Sequence, residues 1–458
     1  MKLKTKDRTS ETDAELREKG KKYLWLSFGR DESWFDQGLI LSRAQGHYVY
    51  DVAGNRYFDA MSGQGAVMLG YNHPAVVEAM VVQMQKITGN ASGWPASVPQ
   101  IQLAEKIVSL APPGLSKVFF ACNGTDATET AVKIARQYWK LRGKATKYKV
   151  IVRWGGYHGS SLAMSAASGY PWRRKSFEPL PVGFVHIKPP YCYRCPYGLT
   201  YPSCGVECAE EFRKVVEYED PSTVAAYMGE FTIAGGGVIP PPPGYAERVR
   251  ELCDRYEILM IADEIVTGFG KTGSWFECQQ LGVVPDMVTA GKALTGGHAA
   301  LSAVVAKAEI AQTFSGDSDA CLHHGYTFGG MPVACAAGLA AIEAVEEQDL
   351  VAQVPSKSGF FRQLLEPLRE LGIVGDIRST GLMVGIELVK DRRTKEGFSQ
   401  PSKVRDALIE VARQNGIHIA SLGTRMHFFL PLTVTNEELE WLAQATQRTL
   451  QELASRFG

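Results

Sequence analysis

Two carboxylates and a lysine stand where apolar runs stop. Ile258–Ala262 is continuously apolar, without the alternation of a half-exposed strand, and reads as an interior strand of a parallel sheet. Asp263 and Glu264 follow it directly and open into the glycine-rich turn of ILMIADEIVTGFGKTG. Ligands of open α/β sheets sit outside the carboxyl ends of the strands, so an acid there is placed to meet one. Lys292 takes the matching place after a second short run, in PDMVTAGKALTGG. A lysine at that edge, partly desolvated among small residues, can have a lowered pKa and act as an amine nucleophile. The plainer reading is a solvated loop lysine. In FFACNGTDATETAVKIARQYW a strand ends near Ala121 and a helix begins about Asp126. The Asn123-Gly124-Thr125 step then sits at a helix N-terminus, where free N–H groups and the dipole favour a phosphate. An ordinary helix cap is the plainer reading there.

Together the three handles suit one ligand, pyridoxal phosphate. The Asp263 carboxylate would pair with the pyridine nitrogen and hold its proton, because a nearby opposite charge favours the charged form. Lys292 would carry the aldehyde carbon as an imine and, once displaced by substrate, move a proton. A competing motif is weak. Gly268, Gly270 and Gly273 spell G-x-G-x-x-G, but a dinucleotide fingerprint follows its strand at once, and here Asp263, Glu264 and three more residues intervene. A phosphate loop at GKT fails too, because Ile265 stands where it requires glycine.

Positioning these groups takes an α/β frame. Between about Pro74 and Met331 helices alternate with short apolar strands, at Lys117–Ala121, Tyr148–Val152, Ile258–Ala262 and Met287–Thr289, which predicts crossover units and a mostly parallel sheet. Residues 1–22 are charged and helix-like. After Gly375, GLMVGIELV and RMHFFLPLTV read as strands of a smaller sheet, followed by a closing helix with the capping pair Thr435 and Glu438. Leu439, Leu442, Leu450 and Leu453 form its apolar face. The expected division is an N-terminal segment of the small domain at 1–73, a large domain at 74–331 and a C-terminal small domain at 332–458.

The chain has 458 residues, 45% of them hydrophobic, which suffices for a large core and more than one lobe. Its 49 basic residues balance 49 acidic ones, so no overall field draws it to nucleic acid or an anionic membrane. The basic N-terminus has no apolar h-region behind it and no run reaches membrane-spanning length, so a cytoplasmic location is the expectation. Nine cysteines without a signal peptide argue for reduced thiols. Cys192, Cys195, Cys204 and Cys208 have a spacing that could close a structural zinc site, or form a thiol-bearing loop.

Seven ordered blocks make the chain resemble the class III aminotransferases of ω-amine:pyruvate type, among the fold-type I pyridoxal-phosphate enzymes. They are MSGQGAVMLGYNHP, CNGTDATE, GGYHGSS, GEFTIAGGGVIPPPPGY, IADEIVTGFGKTG, DMVTAGKALTGG and HGYTFGGMPVAC. The resemblance implies a large domain with a mostly parallel seven-stranded sheet and a smaller α+β domain from the N- and C-terminal segments. It implies Lys292 as the imine-forming lysine and Asp263 as partner of the pyridine nitrogen. Gly124 and Thr125 fall on the phosphate, Tyr157 on one ring face, and Ile265 or Val266 on the other. His158 and Glu230 are also implied near the cofactor. Thr327 would reach the phosphate of a neighbouring subunit, which implies a homodimer with shared active sites; pairing of dimers into tetramers stays open. Gln64, Trp94, Tyr326 and Arg425 are the expected substrate residues.

Departures from the family pattern bear on the substrate. Val266 replaces the glutamine of the ornithine and 4-aminobutyrate branches and resembles the ω-amine:pyruvate branch. His427 stands where the family's carboxylate-binding arginine does, and Arg425, two residues earlier on the same strand face, either takes over that role or is a surface arginine. Gln64 resembles 2,2-dialkylglycine decarboxylases, the alternative reading, which Val266, Tyr157 and His427 oppose. Gly65 falls where many amine transaminases carry tryptophan, from either a wider pocket or a glycine turn. The expected activity moves an amino group from a primary amine or ω-amino acid to pyruvate or a similar 2-oxo acid.

Overall fold

A computed structural model describes residues 11–28, 31–89, 95–316, 319–421 and 423–458. Three strands come first, β1 (Leu41–Gln45), β2 (Tyr48–Asp51) and β3 (Arg56–Asp59). The central strands are β4 (Leu115–Ala121), β5 (Lys149–Arg153), β6 (Phe184–Ile187), β7 (Val224–Gly229), β8 (Leu259–Asp263), β9 (Met287–Ala290) and β10 (Ser302–Lys307). The last four are β11 (Val374–Thr380), β12 (Met383–Leu388), β13 (Ile417–His418) and β14 (Arg425–Phe429).

The seven central strands form one sheet in the order β4-β10-β9-β8-β7-β5-β6. From β9 to β6 all neighbours are parallel, and β10 runs antiparallel to both β4 and β9. The unbroken apolar run at the centre has a simple cause. Every residue of β8 is buried, with Leu259 and Ile261 in the core on one face and Met260 and Ala262 in the core on the other. The helix Gly124–Leu141 covers the first face through Ala127, Ala131, Ile134, Ala135 and Tyr138. The helices Glu207–Tyr218 and Tyr245–Arg255 cover the second.

Two smaller sheets stand beside this frame. β1, β2 and β3 form an antiparallel meander, and β13 joins β3 in parallel, pairing Ile417 with Phe58 and His418 with Asp59. The N- and C-terminal segments thus share one sheet, as expected. β11, β12 and β14 form the other, and the closing helix Asn436–Phe457 begins at the capping box of Thr435 and Glu438. The helix Pro332–Glu347 packs on the helices Pro74–Lys86 and Val98–Leu110 and on the turn Lys292–Thr295. The chain beyond 332 therefore begins with a helix seated on the large lobe before it enters the small sheets.

Cys192, Cys195, Cys204 and Cys208 are free thiols, and no group of three or more metal-competent side chains occurs among the described residues. Cys192 is exposed on a short turn, whereas Cys208 is buried on the sheet-facing side of its helix. No helix among the described residues is long and apolar enough to cross a membrane.

Candidate active site

Asp263 is the last residue of β8 and pairs in register with Thr289 of β9. Lys292 follows β9 after Gly291, so acid and amine leave neighbouring strands at the same end of the sheet. Asp263 is buried and fully engaged. Its Oδ1 accepts the Ile265 N–H and the Thr289 hydroxyl, each at 3.2 Å, and its Oδ2 lies 2.7 Å from His158 Nδ1. His158 is itself buried, and its Nε2 has no partner among the described residues. Thus His158 reaches Asp263, one layer behind the place where the sequence puts a ligand.

Lys292 is half-buried and has φ +44°, a left-handed conformation that strains any residue but glycine. Burial lowers its amine pKa, while the charges of Glu230 and Asp263 act in the opposite sense. Glu230 is buried and accepts the N–H of Tyr157 and of Ala234, each at 3.0 Å. Burial, with Asp263 nearby, raises its carboxyl pKa. Tyr157 is held at its other end as well, its hydroxyl 2.8 Å from Ser160 Oγ.

Gly124 opens the 18-residue helix, and the N-cap Asn123 accepts the Asp126 N–H at 3.2 Å. The N–H groups of Gly124 and Thr125 have no carbonyl partner within the helix. Thr125 Oγ1 accepts the Ser160 N–H at 3.2 Å, and Thr128 donates to the His158 carbonyl at 2.6 Å, which ties this terminus to the Tyr157 loop. Ile265 closes over it. A Cβ on Gly124 would meet an Ile265 methyl at 3.1 Å, so only glycine lets that wall approach so closely.

The remaining expected residues are more spread. Ser62, Gly63 and Gln64 form a left-handed turn with φ +42°, +57° and +60°, and Gln64 is exposed. Gly65 continues it at φ +84°, where the backbone itself calls for glycine, and Val266 packs beside it. Tyr326 donates to the Asp126 carbonyl at 3.3 Å, Thr327 is exposed, and Trp94 lies outside the described residues. Arg425 and His427 do share a face of β14. Arg425 Nε is 3.5 Å from Glu387, a buried carboxylate that also takes Arg194 at 2.5 Å, Arg378 at 3.2 Å and the Tyr191 hydroxyl. His427 is buried, and burial with Arg425 nearby pulls its pKa down to about 3.

Several polar groups here were missed by sequence reasoning. Arg153, the last residue of β5, is fully buried, with none of its guanidinium nitrogens hydrogen-bonded to a described residue. Glu264 accepts the N–H groups of Glu277 and Cys278 at 2.5 and 2.8 Å, and Glu277 accepts from Thr232. The one signal for these was Glu264 itself, next to Asp263 at a strand end.

Residues 32–450 match the family described as aminotransferase class-III. The chain belongs to that family of amino-group-transferring enzymes, with the fold-type I architecture expected for it. It is 42% identical to a probable aminotransferase of Mycobacterium tuberculosis over 83% of this chain and 82% of the relative. A putrescine–pyruvate aminotransferase of Pseudomonas aeruginosa is 33% identical, over 91% of each chain. Among solved structures, a thermostable (S)-enantioselective omega-transaminase from Thermomicrobium roseum superposes with TM-score 0.93 at 34% identity, covering 97% of this chain and 99% of that one. The omega transaminase from Pseudomonas jessenii, in complex with PMP, gives 0.92 at 31%, with the same coverage.

Proposed function

We propose that this enzyme binds pyridoxal phosphate and moves an amino group from a primary amine or ω-amino acid to pyruvate or a similar 2-oxo acid. One observation carries the reading: a buried, fully oriented carboxylate and a strained, half-buried lysine leave adjacent strands beside an open helix N-terminus. Those groups fit the cofactor's pyridine nitrogen, aldehyde and phosphate. The names of the omega transaminases and of the putrescine–pyruvate enzyme support this donor and acceptor class over the decarboxylating alternative.

When bound, pyridoxal phosphate supplies an electrophilic aldehyde on an electron-withdrawing ring. Asp263, held by His158 and Thr289, would keep the ring nitrogen protonated. Gly124 and Thr125 would hold the phosphate through their free N–H groups and the helix dipole. Tyr157, its N–H bonded to Glu230, would cover one ring face, and Ile265 or Val266 the other. Lys292 is the residue that would hold the aldehyde and, once freed, serve as the proton carrier at the substrate carbon; burial lowers its amine pKa, which favours that role.

The site is completed by a second copy of the chain. Thr327, from an exposed segment next to Phe328, which is 64% exposed, would reach the partner's phosphate. Val77, Val81 and Met84 on one helix and Val98 and Ile101 on the next are exposed apolar side chains that such a dimer would cover.

The test uses the cofactor-loaded enzyme. A monoamine or diamine donor added without acceptor should abolish its visible absorbance, and pyruvate should restore it with formation of alanine. Lys292→Ala should bind cofactor, gain no mass on borohydride reduction and lose turnover. Failure of every donor to yield alanine would overturn the reading, and carbon dioxide from 2-aminoisobutyrate would favour the decarboxylating one.

A further inference from the structure

We propose that Arg173 and Tyr170 form the carboxylate subsite of this active site, with Arg173 as the group that selects carboxylate-bearing substrates. The inference rests on the aminotransferase reading above and names the residues that recognise the 2-oxo acid.

Arg173 sits in a box of four aromatic rings. Its guanidinium carbon lies 4.6 Å from the centroid of Trp172, 4.8 Å from those of Phe28 and Tyr157, and 5.6 Å from that of Tyr170. Its guanidinium makes no hydrogen bond or ion pair with a described residue, and its Nε is buried without a partner. A guanidinium is a planar fork that matches a carboxylate in bidentate fashion, and Phe28 and Trp172, 61% and 47% exposed, leave the box open to a ligand from solvent.

A second polar group points to the same place. Tyr170 is 8% exposed, and its hydroxyl is buried without a hydrogen-bond partner. The charges of Glu230, Arg173 and Arg425 all act on that phenol. An unpaired buried hydroxyl is costly, and a ligand oxygen would satisfy it. The nearby alternatives are committed elsewhere, since Arg194, Arg378 and Arg425 share Glu387.

The box adjoins the reacting centre. One of its walls is Tyr157, whose N–H is bonded to Glu230, and the charge of Glu230 reaches the Lys292 amine. A 2-oxo acid bound by its carboxylate at Arg173 would lie on the Tyr157 side of the reacting centre.

Steady-state kinetics of the cofactor-loaded enzyme test this. In Arg173→Gln, kcat/KM for pyruvate should fall at least tenfold further than kcat/KM for a monoamine donor without a carboxylate, mostly through KM. Arg173→Lys should recover part of the loss, and Tyr170→Phe should show a smaller one. Propionate, an unreactive carboxylate, should raise the melting temperature of the wild type and not that of Arg173→Gln. Wild-type selectivity and propionate protection in Arg173→Gln would overturn the proposal, as would a pyruvate defect that follows Arg425→Gln instead. Absence of pyruvate amination by the wild type would instead sink the functional reading itself.

Discussion

His158 Nδ1 stands 2.7 Å from Asp263 Oδ2, and the two buried side chains come from segments 105 residues apart. The pair ties the Tyr157 loop to the end of β8. It makes His158 a positioning residue for the carboxylate.

Removing that partner should weaken the grip on Asp263. His158→Ala is expected to lower kcat by ~10–100-fold, the worth of one hydrogen bond to a charged group. It should also shift the pH at which the bound cofactor's visible band titrates. A merely structural histidine would change melting temperature and leave that pH alone, so the two measurements separate the roles.

Asp263→Asn keeps the shape of the side chain and removes its charge. An asparagine oxygen can still accept the Ile265 N–H, so the fold should survive, with an unchanged circular dichroism spectrum. Turnover is expected to fall ~10²–10³-fold, in the range of losing one preorganised electrostatic contact. Near-normal turnover would count against the ring-nitrogen role.

Glu277 makes stability depend on pH. Burial, with Glu264 as a nearby like charge, pushes its carboxyl from the ordinary 4.5 up to about 7; Arg153 opposes the shift. The folded state therefore holds this proton more tightly than the unfolded chain. That stabilisation is complete below about 4.5 and is lost as pH rises through about 7, a change of roughly 3 kcal/mol. Glu277→Gln, with a permanently neutral side chain, should flatten the decline in melting temperature between pH 5 and 8. An unaltered slope would place the titration elsewhere.

Much of this site was legible because it depends on local rules. An interior strand buried on both faces shows no alternation, which identified β8 and with it the carboxyl end where Asp263 stands. The cap of the last helix is a contact between residues three apart, and Thr435 and Glu438 announced it. The helix after β4 starts at Gly124, two residues before the expected Asp126, because its cap is Asn123 and not a later residue. What stayed hidden depends on distant partners. Nothing near His158 in the chain points to Asp263. Nothing around Arg173 reveals that rings at 28, 157, 170 and 172 converge on it, because tertiary contacts across such separations leave no periodic trace. Arg425 was weighed as a clamp from its strand face alone, without sight of Glu387 on the neighbouring strand.

The parallel seam between β3 and β13 also governs how the molecule must assemble. Phe58 pairs with Ile417, so the small lobe cannot close until some 360 further residues have followed β3 out of the ribosome. The central sheet has no such wait, since all its strands lie between 115 and 307. Loss of the chain from Ile417 onward would therefore leave the N-terminal meander with an open edge, ready to pair with whatever strand it meets.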